Sequence, residues 1–209
     1  MFSYTSFRFY LVLVDEFTKF TWVYLLKHKS DTFKVFTQFQ TMVNTQFSLP
    51  IKILRTDCGG EFTSTDFTQF YYDKGILHHL SYPHTPQQNG VAERKYKHLI
   101  QCALAILSES HLLMSYWSYA ISTAALLINR LLTPDLHHKT PYDILFYTPP
   151  NLTYLKSFGC QCFPLLTPYR AHKLHPKTTH CVFLEYPTNS KGYWCLDPVT
   201  YRLYISRHI

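Results

Sequence analysis

The order of short β-type runs and amphipathic segments is the feature that most limits the folds open to this chain. Residues 8–14 and 20–26 are rich in aromatic and β-branched side chains, and the short polar stretch between them predicts a β-hairpin. Apolar residues in 29–47 recur at helical spacing, with Ser30 or Asp31 as the N-cap. Strand-type and helical segments then alternate, which predicts an α/β fold with a mixed sheet and flanking helices. The later strand-type segments are 51–56 and 76–82, and the later helical segments are 64–74, 91–110, 115–131 and 140–146.

Local signals mark where several of these segments begin and end. Gly75 is placed to end the second helix, and Thr140 followed by Pro141 predicts the start of a short helix. The Pro- and Asn-rich stretch 83–90 predicts a loop before the longest helix.

The character of the sequence changes near residue 149. From there short strand-type runs recur, separated by turn sequences such as "PTNSKG" and "DPVTY". This pattern is typical of a small antiparallel barrel or sheet. We therefore expect two domains, an α/β domain at 1–148 and a small all-β domain at 149–209.

Composition narrows the class of protein. Of the 209 residues, 46% are hydrophobic and 16% charged, which indicates a folded chain, and the net charge of +7 suggests a polyanionic partner or a generic basic surface. No apolar run reaches the ~18 residues of a membrane span, and no signal peptide is evident, so we expect a soluble, intracellular protein without a membrane partner.

Six cysteines are scattered along the chain without the paired spacing of a zinc site. Cys160 and Cys162 share one face of a predicted strand because alternate residues of a strand point the same way. Two readings stay open for them: a metal site with Cys181 and Cys195, or buried free thiols.

One acidic residue stands where α/β proteins bind ligands. Asp57 follows the run "IKILRT" directly and precedes Gly59 and Gly60, and Glu93 lies in the first turns of the long helix. Two carboxylates gathered there would suit Mg²⁺ and phosphoryl-transfer chemistry. The alternatives are that Asp57 caps a turn and that Glu93 pairs with Lys97 one helical turn later.

Four separate blocks of sequence carry a family resemblance. The blocks "LRTDCGGEF", "HTPQQNGVAERKYKHLI", "LINRLLTPDLHHKTPYDILF" and "FGCQCFPLLTPYRAHKLHPKT…CVFLEY" resemble the integrase of copia-type long-terminal-repeat retrotransposons and its SH3-like following segment. The resemblance implies a ribonuclease H-like core with two catalytic aspartates and a glutamate. Thirty-five residues, 58 to 92, separate Asp57 from Glu93, as in that family.

The resemblance assigns roles by position. It implies that Asp57 and Glu93 are catalytic ligands of Mg²⁺ or Mn²⁺, and that retroelement ends and target DNA are partners of an enzyme that can form homo-oligomers. Cys58 stands where the family usually has asparagine, which predicts weaker support for the neighbouring ligand. The DNA-contacting positions that carry over are Gln87, Gln88, Asn89, Gly90, Arg94, Lys95 and Lys97.

The third carboxylate of the family site has no clear counterpart in this sequence. Asp15 is the conspicuous acidic residue before Asp57, but it falls on the second strand and turn of the family pattern, so we predict that it is not a ligand. We therefore expect an N-terminally truncated core without its first, central strand, weak metal binding and little or no strand transfer. The alternative is a non-catalytic nucleic-acid-binding remnant or a pseudogene product; an active protein would work in the nucleus.

Overall fold

A hairpin and a parallel strand pair with their connecting helices form the first part of the protein. The computed structural model describes residues 5–81, 90–169, 172–187 and 191–209. By its contacts the chain divides into two compact units, Met1–Glu16 with Thr21–Lys97, and Phe17–Phe20 with His98–Ile209.

The strands of the first unit form two separate pairs. Strands β1 (Phe9–Val14) and β2 (Thr21–Leu26) are antiparallel, with Phe9 opposite Leu26. Strands β3 (Ile53–Thr56) and β4 (Leu77–Leu80) are parallel, with Thr56 opposite Leu80. The predicted hairpin is confirmed, and so is the α/β class. No strand in the described residues links β1 or β2 to β3 or β4 by a ladder of hydrogen bonds, so the strands of this unit form one antiparallel pair and one parallel pair.

Two helices cover these strands with aromatic side chains. Helix α1 spans Thr32–Phe47, and helix α2 spans Thr65–Lys74 and makes the crossover between β3 and β4. Phe36 and Phe67, on these two helices, are fully buried with their rings 5.6 Å apart. Burial of this aromatic cluster is the main source of stability for the first unit.

Two of the predicted helix ends are confirmed together with their hydrogen bonds. Gly75 adopts the left-handed conformation at the C-cap of α2. Thr140 caps α5 (Pro141–Phe146) through a reciprocal pair of hydrogen bonds with Asp143. At α1 the N-cap is Asp31, one of the two expected residues, but its carboxylate accepts from the His28 amide in a preceding 3₁₀ turn and does not cap the helix.

The second unit packs a sheet against a buried helix. Helix α3 (Gly90–Ser110) starts in the first unit and ends in the second, where α4 (Trp117–Ile128) is buried along most of its length. The Thr123 hydroxyl on α4 donates to the Leu184 carbonyl at 3.3 Å. The sheet order is β5 (Gln161–Cys162), β6 (Cys181–Glu185), β7 (Tyr193–Leu196) and β8 (Leu203–Ser206), all antiparallel.

Of the antiparallel barrel or sheet that the sequence predicted, the described residues form the sheet. Its order is linear, and β5 and β8 are not paired to each other by strand hydrogen bonds in the described residues. The strand β5 is only two residues long, which leaves too few backbone groups to close a barrel. The domain boundary at 148/149 stays a prediction. No helix in the described parts of the chain has the length and apolar character that crossing a bilayer requires.

The six cysteines are free thiols. Cys162, Cys181 and Cys195 are buried on one face of the second unit's sheet, together with Phe183. No three cysteine, histidine or acidic side chains in the described ranges form a group able to hold a metal ion, so the buried-thiol reading fits the structure and the metal reading does not.

Gly159 is expected to be sensitive to substitution. Its φ of 77° lies in the left-handed region, and an added Cβ would stand 2.3 Å from Cβ of Ser110. We predict that Gly159→Ala lowers the free energy of unfolding by about 2–5 kcal/mol, from backbone strain and overpacking together. Urea unfolding followed by fluorescence of Trp117 and Trp194, both in the second unit, measures this. Gly60→Ala is the control, since a Cβ there meets nothing within 4 Å; equal losses in both variants would contradict the prediction.

Glu185 is expected to make the second unit less stable as pH rises. Burial raises the pKa of its carboxyl from 4.5 to about 7, against the opposing hydrogen bond with Ser122. The folded state therefore holds a proton that the unfolded state has lost between pH 4.5 and 7, and stability falls across that window. Glu185→Gln, which is always neutral, should be more stable than the wild type at pH 8 by about 1–3 kcal/mol and similar at pH 5.

Urea unfolding at both pH values tests the Glu185 prediction. The matched control is Glu109→Gln, which changes an exposed glutamate on α3. A Glu185→Gln variant whose advantage over the wild type is the same at pH 5 and pH 8 would show that the carboxyl does not titrate in this window.

Candidate metal centre

Asp57 is held in a tight turn at the end of β3. The residue is exposed, and its Oδ1 accepts a hydrogen bond from the Gly59 amide at 3.1 Å. An added Cβ at Gly59 would stand 3.0 Å from this Oδ1 and 3.1 Å from Oε2 of Glu61. Glycine at 59 thus allows the backbone to approach two carboxylates closely.

The end of β3 is tied to the end of β4 by two further hydrogen bonds. The Ser81 amide donates to the Thr56 carbonyl at 3.0 Å, and the Cys58 thiol donates to the Ser81 carbonyl at 3.0 Å. Cys58 was expected to weaken the support of its neighbour. The structure shows that its thiol nevertheless makes a bond that fixes the chain on the far side of Asp57, although a thiol is a weak donor.

Glu93 lies on the first turn of α3 and is half-buried. Tyr96, three residues further on and therefore on a neighbouring part of the helix surface, stacks on Tyr10 of β1 with ring centres 5.6 Å apart and planes at 14°. Burial, followed by the hydrogen bond with Tyr96, raises the pKa of the Tyr10 phenol. This stack fixes the start of α3 against β1.

Two ion pairs involve residues close in sequence to Asp57. Nζ of Lys29 lies 3.5 Å from Oε1 of Glu61, and Nη1 of Arg55 lies 3.6 Å from Oε2 of Glu16. Both pairs are partly exposed, so each contributes at most about 1 kcal/mol to stability. The Arg55 pair shows that the turn after β1 lies close to β3. Glu61 was missed in the sequence, and the only signal for it was its place directly after the glycine pair.

The remaining predicted site residues fall in three groups. Gln87, Gln88 and Asn89 lie outside the described residues. Gly90 begins α3, and an added Cβ there would stand 3.3 Å from Nη1 of Arg94, so the guanidinium folds back over the first helical turn. Arg94 and Lys97 are exposed, whereas Lys95 is partly buried.

A complete metal cage is not formed by the residues that the structure describes. No three acidic, histidine or cysteine side chains among them gather into a metal-binding group. Asp57 and Glu93 are placed at a strand end and at a helix start of the same unit. Asp15 follows β1 in the hairpin turn, and its exclusion from the site stays a prediction.

Comparisons with known proteins identify the family. The family model for the integrase core domain matches residues 2–86, which include Asp57, and the model for the retroviral polymerase SH3-like domain matches residues 160–209. The chain is 42% identical over 207 residues to the retrovirus-related Pol polyprotein from transposon RE1 of Arabidopsis thaliana, and 43% identical over 207 residues to that from transposon RE2. These alignments cover 99% of this chain but only 14% of each relative.

One solved structure shares the fold across most of the chain. A simian T-cell lymphotropic virus intasome, solved in complex with PP2A regulatory subunit B56 gamma, superimposes with a TM-score of 0.53 at 20% identity, covering 96% of this chain and 72% of that chain. The fold and the two family models define a retroelement integrase core followed by an SH3-like segment. The chain belongs to the copia-type group of retrovirus-related Pol polyproteins.

The Tyr10–Tyr96 stack is expected to anchor the helix that carries Glu93. We predict that Tyr96→Ala removes about 0.5–1.5 kcal/mol of aromatic pairing and increases amide hydrogen exchange in residues 91–97. Hydrogen exchange by mass spectrometry measures this directly. Tyr72→Ala is the matched control, because Tyr72 is 84% exposed on α2. If exchange in 91–97 rises equally in both variants, the stack does not anchor the helix.

Proposed function

We propose that this chain is the catalytic core of a retroelement integrase, whose chemistry by descent is metal-dependent DNA strand transfer. The observation that carries the proposal is the placement of its two candidate carboxylates. Asp57 follows a parallel strand directly, and Glu93 stands on the first turn of a helix that Tyr96 packs against β1. In α/β proteins the carboxyl ends of the strands are where ligands bind.

Asp57 and Glu93 are the residues that would hold a divalent cation. Carboxylate oxygens suit Mg²⁺ or Mn²⁺, and the exposure of Asp57 leaves room for water and phosphate oxygens beside it. A metal bound there would supply Lewis-acid stabilisation of charge on phosphate oxygens. In the proposed reaction a DNA 3′-hydroxyl attacks a target phosphodiester: a new O–P bond forms and the target's O3′–P bond breaks. The attacking hydroxyl gives its proton to solvent, and the displaced 3′-oxygen takes one from solvent and leaves as a free 3′-hydroxyl.

These 209 residues by themselves are proposed to be weakly active or inactive. Two carboxylates form a poor cage for a metal pair, and no third is assigned among the described residues. The separation of β1–β2 from β3–β4 is consistent with a ribonuclease H-like sheet that lacks its central strand. Weak metal binding would follow from both features.

We predict that Mn²⁺ binding to this chain is weak and depends on both carboxylates. Asp57→Asn and Glu93→Gln should each weaken binding at least about tenfold, because each removes one anionic oxygen ligand. Titration of Mn²⁺ followed by water proton relaxation measures the dissociation constant. Asp66→Asn, which neutralises an exposed aspartate on α2, is the control. Equal affinity in all four proteins would exclude a metal site at Asp57 and Glu93.

A strand-transfer assay tests the proposed loss of activity. Using a short duplex with free 3′-hydroxyl ends, a target plasmid and Mn²⁺, we expect no more product from this chain than from Asp57→Asn. Product that depends on Asp57 and survives Asp66→Asn would show that two carboxylates suffice.

DNA is the proposed partner, and Arg94 and Lys97 are the proposed phosphate contacts in the described residues. Both side chains are exposed near the start of α3, where the helix N-terminus also attracts anions. We further propose that the active form assembles as an oligomer and acts on chromosomal DNA in the nucleus. A non-catalytic nucleic-acid-binding protein is the second candidate. It is favoured by this basic surface and by the lack of a three-ligand metal group among the described residues.

A salt series separates DNA contacts at Arg94 and Lys97 from general basicity. We predict that Arg94→Gln and Lys97→Gln each reduce the slope of log K against log salt by about 0.9, the value for one phosphate contact. Filter binding of a duplex at several salt concentrations measures the slope. Lys74→Gln is the control, since this exposed lysine ends α2. An unchanged slope in both test variants would show that Arg94 and Lys97 on α3 do not contact DNA phosphates.

A further inference from the structure

The hydroxyl of Thr56 touches two polar groups at the end of β3. Thr56 is the last residue of that strand and is 6% exposed. Its Oγ1 lies 2.9 Å from the carbonyl oxygen of Asp57 and 2.8 Å from Nε2 of His78 on β4. Both contacts are short enough to be full hydrogen bonds. The hydroxyl therefore links a side chain of β4 to the backbone of Asp57.

The number of protons decides the direction of both bonds. A threonine hydroxyl has one proton to donate, and a carbonyl oxygen can only accept. The Thr56 proton therefore goes to the Asp57 carbonyl. Since Oγ1 then has no proton left for the second contact, Nε2 of His78 must carry a proton and donate to Oγ1. The chain of donation runs from His78 to Thr56 to Asp57.

The surroundings of His78 hold the ring in this orientation. The Tyr71 ring packs on it with centres 4.5 Å apart, and Tyr71 itself is 5% exposed. Burial, and then the nearby charge of His79, lower the pKa of His78. The neutral ring has one N–H, and the Thr56 contact places it at Nε2. A charged ring would also carry a proton at Nε2, so the direction of donation is the same in either state.

We propose that His78 is a positioning residue for Asp57, acting through the Thr56 hydroxyl to fix the Asp57 carbonyl. Together with the Ser81 amide on Thr56 and the Cys58 thiol on Ser81, it ties the turn to β4 on both sides of Asp57. The importance of this role for metal binding rests on the proposed function of Asp57. Residues that orient metal ligands in this way commonly change metal affinity about 10- to 100-fold when replaced.

Nuclear magnetic resonance of the 209-residue chain without metal tests the donation directly. The ¹⁵N shifts of the His78 ring should show a protonated Nε2 and an unprotonated Nδ1. The Asp57 carbonyl ¹³C signal should move upfield in Thr56→Val, and in the same direction in His78→Phe, which keeps a ring on Tyr71 but has no donor. His79→Phe, one residue along the strand, is the control. An unprotonated Nε2, or a carbonyl signal that does not move in either test variant, would overturn the proposal.

Rescue by amide side chains separates positioning from general damage to the fold. Gln places an N–H near the position of Nε2, whereas Asn reaches only as far as Nδ1. His78→Gln should therefore restore the Asp57 carbonyl signal, and His78→Asn should not. Thermal unfolding of all variants shows whether they remain folded. If His78→Gln behaves as His78→Phe does while both are folded, the role of His78 is packing on Tyr71 and the proposal fails.

Mn²⁺ affinity tests whether the tether, the hydrogen bonds from His78 through Thr56 to the Asp57 carbonyl, matters for the proposed function. His78→Phe and Thr56→Val should each weaken binding about tenfold, and the double variant should lose no more than either alone because both act through one chain of bonds. Absence of Asp57-dependent binding in the wild type defeats the proposed metal site, and the metal-free signals then decide the tether on their own. Wild-type binding that is unchanged in both single variants defeats the positioning role and leaves the metal site standing.

Discussion

The parallel pairing of β3 with β4 is the constraint on which the candidate site depends. Two neighbouring parallel strands cannot be joined by a tight turn. The chain needs a longer crossover connection, which is usually a helix. That crossover is α2, and it buries Phe67 and Tyr71 against the aromatic residues of α1. The same packing therefore fixes the register of the strands and the place of Asp57.

Elements with strong local signals were predictable from the sequence, and contacts between distant segments were not. The hairpin, the Gly75 cap and the Thr140 capping box each follow from a few neighbouring residues. The pairing of Thr56 with His78 joins positions 22 apart, and the bond from Thr123 to Leu184 joins positions 61 apart. No periodicity or turn signal encodes such pairs, because they arise only when tertiary packing brings the elements together.

The candidate site was predictable in the same uneven way. Asp57 stood out because it follows an apolar run and precedes two glycines, and Glu93 because it stands near the predicted start of a helix. The side chains that support Asp57 and Glu93 have no comparable sequence signal. Tyr96 and His78 are ordinary members of amphipathic segments until the structure shows what they touch. The arrangement of the strands was less predictable than their positions, since strand pairing and barrel closure depend on edges and lengths that composition does not fix.

The charges near Asp57 suit a site that binds a cation and a polyanion in turn. Lys29 is paired with Glu61 and Arg55 with Glu16, so the net charge of these four side chains is zero. Ion pairs that are neutral overall neither repel a metal ion strongly nor hold Asp57 in a salt bridge that would compete with the metal. Exposed basic groups lie on α3, at Arg94 and Lys97, where a phosphate backbone could approach. Separating the two kinds of charge in this way lets metal affinity and DNA affinity be set by different residues.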